Sequence, residues 1–441
     1  MTSPAIAVDY CSKPYRIACL LSHPTQYFAP LFRYLAKDPA IDLTVFFLSD
    51  FSLRAYTDPG FRAPLRWDVE LLDGYRYVFL PVLGSKDRIS FWKPFNHGLW
   101  SRLRSGCFEA LWLHGYAQQS VLRALVLAKL RGIKVLVRGE SHLDLTRRRG
   151  TQEKRAIMRR LFGFIDAFLA IGTRNHSFYR HYGVGPERIF MMPYTVDNDF
   201  FRIQAEQVRH RREELRAELN LDPGRPVILY ASKMIPEKRP LDLLEAHALL
   251  LSDCSNHSRR PYLLFVGDGE LRGELQARAS KLEGSLVRFL GFRNQTELPR
   301  YYDLCDVFVL PSIYEPWGLV VNEVMNAGKP VIVSDKVGAQ TDLVKDGENG
   351  FVVGAGDIVL LAQKLKVLTD NIELAAGMGK RSLEIISRWN FEADRRGLLE
   401  ALAAVTGRIP LTTRGGRAKN ANPSPEEPTC NVQLMMSLTR E

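Results

Sequence analysis

In each half of this chain, short apolar runs alternate with stretches of helical period, and that alternation limits the fold more than any other feature. The first series places strands at 16–22, 43–48, 110–114, 134–138 and 167–171. After Pro223-Gly224 a second series places them at 227–231, 262–266, 287–290, 307–310 and 331–334, with helices at 240–251, 271–282 and 295–303 between them. Strands that alternate with helices along the chain pair in parallel, with helices on both faces. The expected fold class is therefore α/β, two doubly wound Rossmann-like domains facing across a cleft. Ligands of such sheets lie beyond the carboxyl ends of the strands. At 441 residues the chain is long enough for two separate cores.

The domain plan is a flexible N-terminus over 1–14, a first domain over 15–205 and a second over 206–385. The segment 407–441, polar and rich in Gly, Pro and Ser, is expected to be a disordered tail. The region 50–100 carries many aromatics and little periodicity, and is expected to be an insertion or an irregular acceptor-side region. The six cysteines are scattered without a CxxC pair or metal-ligand spacing, and several, in apolar segments, are expected to be reduced core residues. There is no apolar run long enough to span a bilayer and no basic, apolar leader at the N-terminus. A cytoplasmic location is the expectation.

The formal net charge of +11 calls for an anionic partner. Part of the excess is local, at 147–160, where Arg147, Arg148, Arg149, Lys154, Arg155, Arg159 and Arg160 accompany one acid, Glu153, with Ile157 and Met158 interleaved. Such a segment either lies on anionic lipid headgroups, peripheral to a membrane, or is a solvated helix face. No nucleic-acid motif accompanies the charge, so a nucleic-acid partner is not expected.

Chemistry concentrates in Pro311-Ser312-Ile313-Tyr314-Glu315-Pro316-Trp317-Gly318-Leu319-Val320-Val321-Asn322-Glu323. It follows an apolar strand and opens a helix expected over 317–326. Glu315 falls in the loop, Glu323 inside the helix, and the N–H groups of Gly318 and Leu319 at the helix start are free to bind an anion. The arrangement suits a diphosphate flanked by two hydroxyl-rich rings, that is, a nucleotide-sugar. The spacing resembles the E-x7-E motif of retaining glycosyltransferases of family 4, which have the GT-B fold. Further matches are Val266-Gly267-Asp268-Gly269, Gly291-Phe292, Gly328-Lys329-Pro330 and Asp346-Gly347-Glu348-Asn349-Gly350-Phe351, so the resemblance covers about 227–353.

The resemblance implies roles. Glu315 would hold hydroxyls of the donor sugar and Glu323 those of the ribose, with Gly267 and Phe292 also on the donor side. Where the family usually has Gly-Arg and then Glu-Lys-Gly, this chain has Ser232-Lys233 and Glu237-Lys238-Arg239, so Lys233 and Lys238 would clamp the diphosphate. Lysine keeps the charge of arginine but loses its bidentate fork. The implied reaction is sugar transfer from a nucleotide-sugar with retention, by same-face attack, to a saccharide or lipid-linked acceptor, without metal or other cofactor. The implied terminal helix, 386–406, crosses back to the first domain. A GT-B sugar-nucleotide epimerase and a non-catalytic nucleotide-sugar-binding partner are the alternatives.

The first domain departs from the pattern. In place of the family's Gly-Gly loop stands His23-Pro24-Thr25-Gln26-Tyr27-Phe28, so Gln26 or Tyr27 is expected to touch acceptor. The run Arg138-Gly139-Glu140-Ser141-His142 is preferred over His114-Gly115 for the sugar side, with Arg138, Glu140 and His142 left as candidates. Asp197-Asn198-Asp199 spells a DxD, but its setting resembles the family's interdomain segment and no metal site is expected there.

Overall fold

The computed structural model describes residues 9–410, apart from 12, 59, 62, 85–88, 146–151, 254–258 and 283–285. The expected tail at 411–441 and Arg147, Arg148 and Arg149 lie outside the described residues. Two parallel sheets organise the chain. The first holds β1 (Tyr15–Leu21), β2 (Ile41–Phe47), β3 (Arg76–Phe79), β4 (Ala110–His114), β5 (Lys134–Arg138), β6 (Ala167–Ala170) and β7 (Ile189–Met191), in the order β7-β6-β5-β4-β1-β2-β3. The second holds β8 (Val227–Ala231), β9 (Tyr262–Val266), β10 (Val287–Gly291), β11 (Val307–Leu310), β12 (Val331–Ser334) and β13 (Gly350–Val353), in the order β10-β9-β8-β11-β12-β13.

Helices cover both faces of each sheet, which is why the strands read as continuous apolar runs. In β1, Ile17, Cys19 and Leu21 pack with Phe28 and Phe32 on one face. Ala18 and Leu20 turn to the other, with Val121 and Ala124. Strand order reverses between β1 and β4 and again between β8 and β11. At these switch points the following loops part and leave a crevice. The loops after β1 and β4 open one crevice and those after β8 and β11 the other.

Domain boundaries differ from the plan in two places, at helix Asn198–Val208 and at the chain ends, while the terminal helix crosses to the first domain. Helix Asn198–Val208, assigned to the first domain, packs on helices Leu298–Leu304 and Leu319–Asn326 of the second. The crossing thus precedes Asn198, because Phe201 and Ala205 bury against that domain's core. Helix Phe391–Thr406 lies against β6 and β7 of the first sheet and buries Leu398, Ala401 and Leu402, each leucine contributing about 1.5–3 kcal/mol. Finally, Asp9–Cys11 pairs in parallel with Arg408–Pro410, so the two ends of the described chain form a small sheet where a flexible segment and a tail were expected.

Candidate functional site

The two crevices face each other and join into one cleft of about 1010 Å3. Lys233, Lys238, Gly267, Phe292, Glu315, Gly318, Leu319 and Glu323 line it from the second domain, and Gln26 and Glu140 from the first.

Short loops at strand ends set the second-domain wall. Lys233 follows β8 by two residues, and Pro236–Lys238 forms a single tight turn. The carbonyl of Glu237 accepts from the N–H of Ile313 at 2.9 Å, fastening this turn to the loop after β11. Arg239 stands at φ +52°, the left-handed region that favours glycine, so the family's usual Gly at this place has a backbone reason. The Arg239 guanidinium bonds Asp242 at 2.7 Å and steadies the residue there. Gly267, at φ +126°, lies against the Ser232 carbonyl, where a Cβ would come within 2.1 Å. Only glycine lets the loops after β8 and β9 touch in this way. Gly318, at φ +96°, caps helix Leu319–Asn326, which starts two residues later than the sequence implied because that turn reverses the chain first. The first N–H groups of this helix have no acceptor within it, and Gly318, Leu319 and Val320 at its start line the cleft.

Charges are paired across this wall. Lys238 forms an ion pair with Glu315, both side chains mostly buried. Lys233 Nζ lies 2.9 and 3.2 Å from the two carboxylate oxygens of Asp58, a first-domain residue. Glu323 is 2% exposed and accepts from the Tyr302 hydroxyl at 2.5 Å and from the Tyr27 hydroxyl. Burial pushes its carboxyl up to about 7, against the pull of the two tyrosines.

The first-domain candidates separate. Glu140 faces the cleft and accepts from Tyr194 at 2.6 Å, with His114 Nε2 at 3.7 Å. Burial opposes its ionisation, yet His114 and Tyr194 outweigh burial and hold its carboxyl below the usual range. Gln26 lies in the cleft beside Tyr27, which meets Glu323 of the second domain. Arg138 is placed elsewhere. It is 1% exposed, sandwiched near Phe28 and Tyr194, and donates to the Pro193 carbonyl at 2.6 Å and to Asp394 on the terminal helix at 3.1 Å. Its charge is spent on holding that helix, so it does not reach a sugar. His142 is also buried, with Nε2 3.4 Å from the Glu315 carbonyl, and buttresses the wall from behind. Burial lowers its pKa.

Sequence reasoning missed Asp58, Phe61, Trp67, Tyr302 and Tyr194, all of which line the cleft. The aromatic density of 50–100 was the one available signal for the first three. In the DxD, Asp197 caps helix Asn198–Val208 by accepting from the Phe200 N–H at 3.0 Å, and Asp199 pairs with Arg202 at 2.6 Å. Among the described residues no group of three or more His, Cys, Asp or Glu is placed to hold a metal, and no helix is long and apolar enough to cross a membrane.

Comparison with known proteins fits this geometry. Residues 211–384 match the family profile described as Glycosyl transferases group 1. D-inositol 3-phosphate glycosyltransferase of Thermomonospora curvata is 30% identical over 246 residues, 53% of this chain and 56% of that protein. The chain thus spans little more than half the length of this relative. Among solved structures, a glycosyltransferase from Rickettsia africae superposes with a TM-score of 0.65 at 15% identity, covering 89% of this chain and 98% of that one. Anabaena Alr3699/HepE in complex with UDP-glucose superposes with a TM-score of 0.64 at 18% identity, covering 88% and 99%. The chain as a whole has the GT-B fold of these neighbours, and its residues 211–384 are similar in sequence to the group 1 glycosyl transferases.

Proposed function

We propose that this protein is a retaining glycosyltransferase that moves a sugar from a nucleotide-sugar donor to a saccharide or lipid-linked acceptor. One observation carries the reading. Two ammonium groups, a helix start and two carboxylates converge on a single cleft at the switch point of the second sheet. As the bond from the anomeric carbon to the diphosphate breaks, negative charge collects on the phosphate oxygens. Lys233, Lys238 and the N–H groups following Gly318 line the cleft where that charge would collect, and on exchanging their present partners for phosphate oxygens they would stabilise the transition state more than the ground state. These cations would serve the diphosphate in the role a divalent ion takes in other transferases. Glu315 would release Lys238 to the phosphate and accept hydroxyls of the donor sugar, while Glu323 would accept those of the ribose. Glu140, across the cleft, would meet the acceptor hydroxyl. Retention would follow from attack on the face the diphosphate leaves, with a departing phosphate oxygen taking the acceptor's proton.

UDP-glucose in the Anabaena structure and the inositol phosphate named for the Thermomonospora relative show the classes to test first. A bilayer carrying anionic lipid is the proposed partner of helix Gln152–Gly163. This helix exposes Arg155, Arg159, Arg160 and Ile157 while anchoring Phe162 in the core. The decisive experiment is thermal stabilisation by UDP, GDP and ADP, followed by a transfer assay with the matching nucleotide-sugars. One nucleotide should raise the melting temperature and its sugar conjugate should be consumed with a glycosylated product. Release of an altered nucleotide-sugar without acceptor modification would make the protein an epimerase, and binding without turnover would make it a binding partner.

A further inference from the structure

Resting on the donor-site reading above, we propose that Asp58 is an internal competitor for the donor diphosphate, so that this first-domain residue sets how tightly donor binds. Both oxygens of its carboxylate face Lys233 Nζ, at 2.9 and 3.2 Å, and take the place on the ammonium that phosphate oxygens would take. An ammonium has three donors on a flexible stem, and two of them are directed at Asp58.

The carboxylate is built for that position. The N–H groups of Gly60 and Phe61 donate to its Oδ1 at 2.8 and 2.9 Å, an Asx-type turn that fixes the side chain. Burial opposes ionisation, but Lys233 and these N–H groups prevail and keep the carboxyl below its ordinary range, so it is an anion at neutral pH. Gly60 presses on the lysine stem so closely that a Cβ there would meet Lys233 Cδ at 2.6 Å.

The ribbon Tyr56–Asp58/Ala63–Leu65 and the strand-free stretch after it are held to the second domain by further contacts. Phe61 meets Phe292 edge-on at 5.0 Å, and its ring lies 4.9 Å from Lys233 Nζ. Asp68 accepts from the N–H and hydroxyl of Thr296, and Asn294 donates to the Arg66 carbonyl at 2.6 Å. At the other end of the site Tyr27 covers Glu323 from the same domain. A nucleotide diphosphate therefore has to exchange with first-domain groups at Lys233, and the fraction of molecules in which Asp58 has let go scales the apparent affinity.

Titration calorimetry with inorganic pyrophosphate and with UDP, GDP and ADP tests this. Asp58→Asn keeps the acceptor oxygen of the turn and removes the charge. It should bind pyrophosphate and the preferred nucleotide about tenfold tighter than the unaltered protein. Simple repulsion between two anions predicts a gain as well, so Lys233→Met supplies the control: adding Asp58→Asn to it should give no gain, and a gain that persists there overturns the proposal. Thr296→Val loosens the ribbon without changing charge and should tighten binding about twofold. If Asp58→Asn does not fold, this variant decides alone, and unchanged affinity in it refutes the competition. Should the unaltered protein bind a nucleotide while Asp58→Asn binds no tighter, Asp58 is not a competitor and the donor site stands. Should neither bind any of these probes, the donor-site reading fails together with the proposal.

Discussion

The two walls of the cleft are made in different ways. In the second domain most candidate groups sit close to the end of a strand: Lys233 two residues after β8, Gly267 directly after β9, Phe292 directly after β10, Glu315 five residues after β11. Rigid strands and short loops turn distance along the chain into distance in space. In the first domain the cleft is reached mainly from a long excursion between β2 and β3, which carries Asp58, Phe61 and Trp67, and from the loop after β1, with Glu140 entering just after β5. Placement there depends on contacts far apart in sequence, such as Asp68 with Thr296. The second domain is the part built to repeat one geometry, and the first is the part free to vary what it brings to it.

The strongest way to break that comparison is to remove charge from each wall in turn. Glu315→Gln or Lys238→Ala should lower kcat by about 10²–10³-fold, the range for deleting a preorganised stabiliser of developing charge. Glu140→Gln should act mainly through the KM of the acceptor, with donor KM unchanged. Steady-state kinetics with both substrates varied separates the two patterns. Equal losses of kcat from both walls would show that chemistry is shared between the domains.

That asymmetry also explains what could be read from the chain alone. The alternation of strand and helix carried the two sheets because central parallel strands such as β1 and β8 are buried on both faces and leave an unbroken apolar signature. Edge strands β3, β7 and β13 lack that signature and were not anticipated. Lys233, Lys238, Glu315 and Glu323 reach one cleft because their local spacing is their geometry. Arg138 and His142 deceived for the opposite reason. Arg138 ends a convincing strand and His142 follows it, but their surroundings are set by Asp394 and by the Glu315 carbonyl, 256 and 173 residues away. Asp58 had no signal beyond the aromatic density around it, since an acid in an aromatic-rich loop looks the same whether or not a lysine of another domain waits for it.

Arg138 offers a second test, now of stability. If it is an anchor for the terminal helix, Arg138→Leu leaves Asp394 buried without its partner and should cost about 3–5 kcal/mol in denaturant unfolding. Arg138→Leu with Asp394→Leu should recover much of the loss, because no lone charge remains. A variant as stable as the parent but defective in transfer would return Arg138 to the sugar side of the cleft.

Glu323 sharpens the comparison at the point where the domains touch. Its folded carboxyl titrates at about 7, well above the ordinary value of 4.5. The folded chain therefore holds this proton where the unfolded chain has lost it. The resulting stabilisation is complete below about pH 4.5 and disappears as pH rises through about 7, a change of about 3 kcal/mol for a fully buried group. Glu323→Gln keeps the shape without the titration. The difference in unfolding free energy between it and the parent should slope across pH 4.5–7 and flatten above. A flat difference throughout would mean that Tyr27 and Tyr302 hold Glu323 ionised in both regimes.

The smallest effect is expected on the outer face of the first domain. Helix Gln152–Gly163 keeps Phe162 at 2% exposure while Ile157 is 66% exposed, so its core contacts and its cationic face are separate. Arg155→Glu, Arg159→Glu and Arg160→Glu together should change stability by no more than about 0.5 kcal/mol each, as for surface substitutions that break no buried contact. Binding to vesicles holding anionic phospholipid should fall much further, at about 1 kcal/mol for each basic residue removed near the surface, while vesicles of neutral lipid distinguish the two proteins little. Cosedimentation at low and high salt reads this directly, because headgroup attraction is screened over a Debye length. If the altered protein sediments with anionic vesicles as well as the parent does, this face is solvated, and the first domain meets its acceptor without help from the membrane surface.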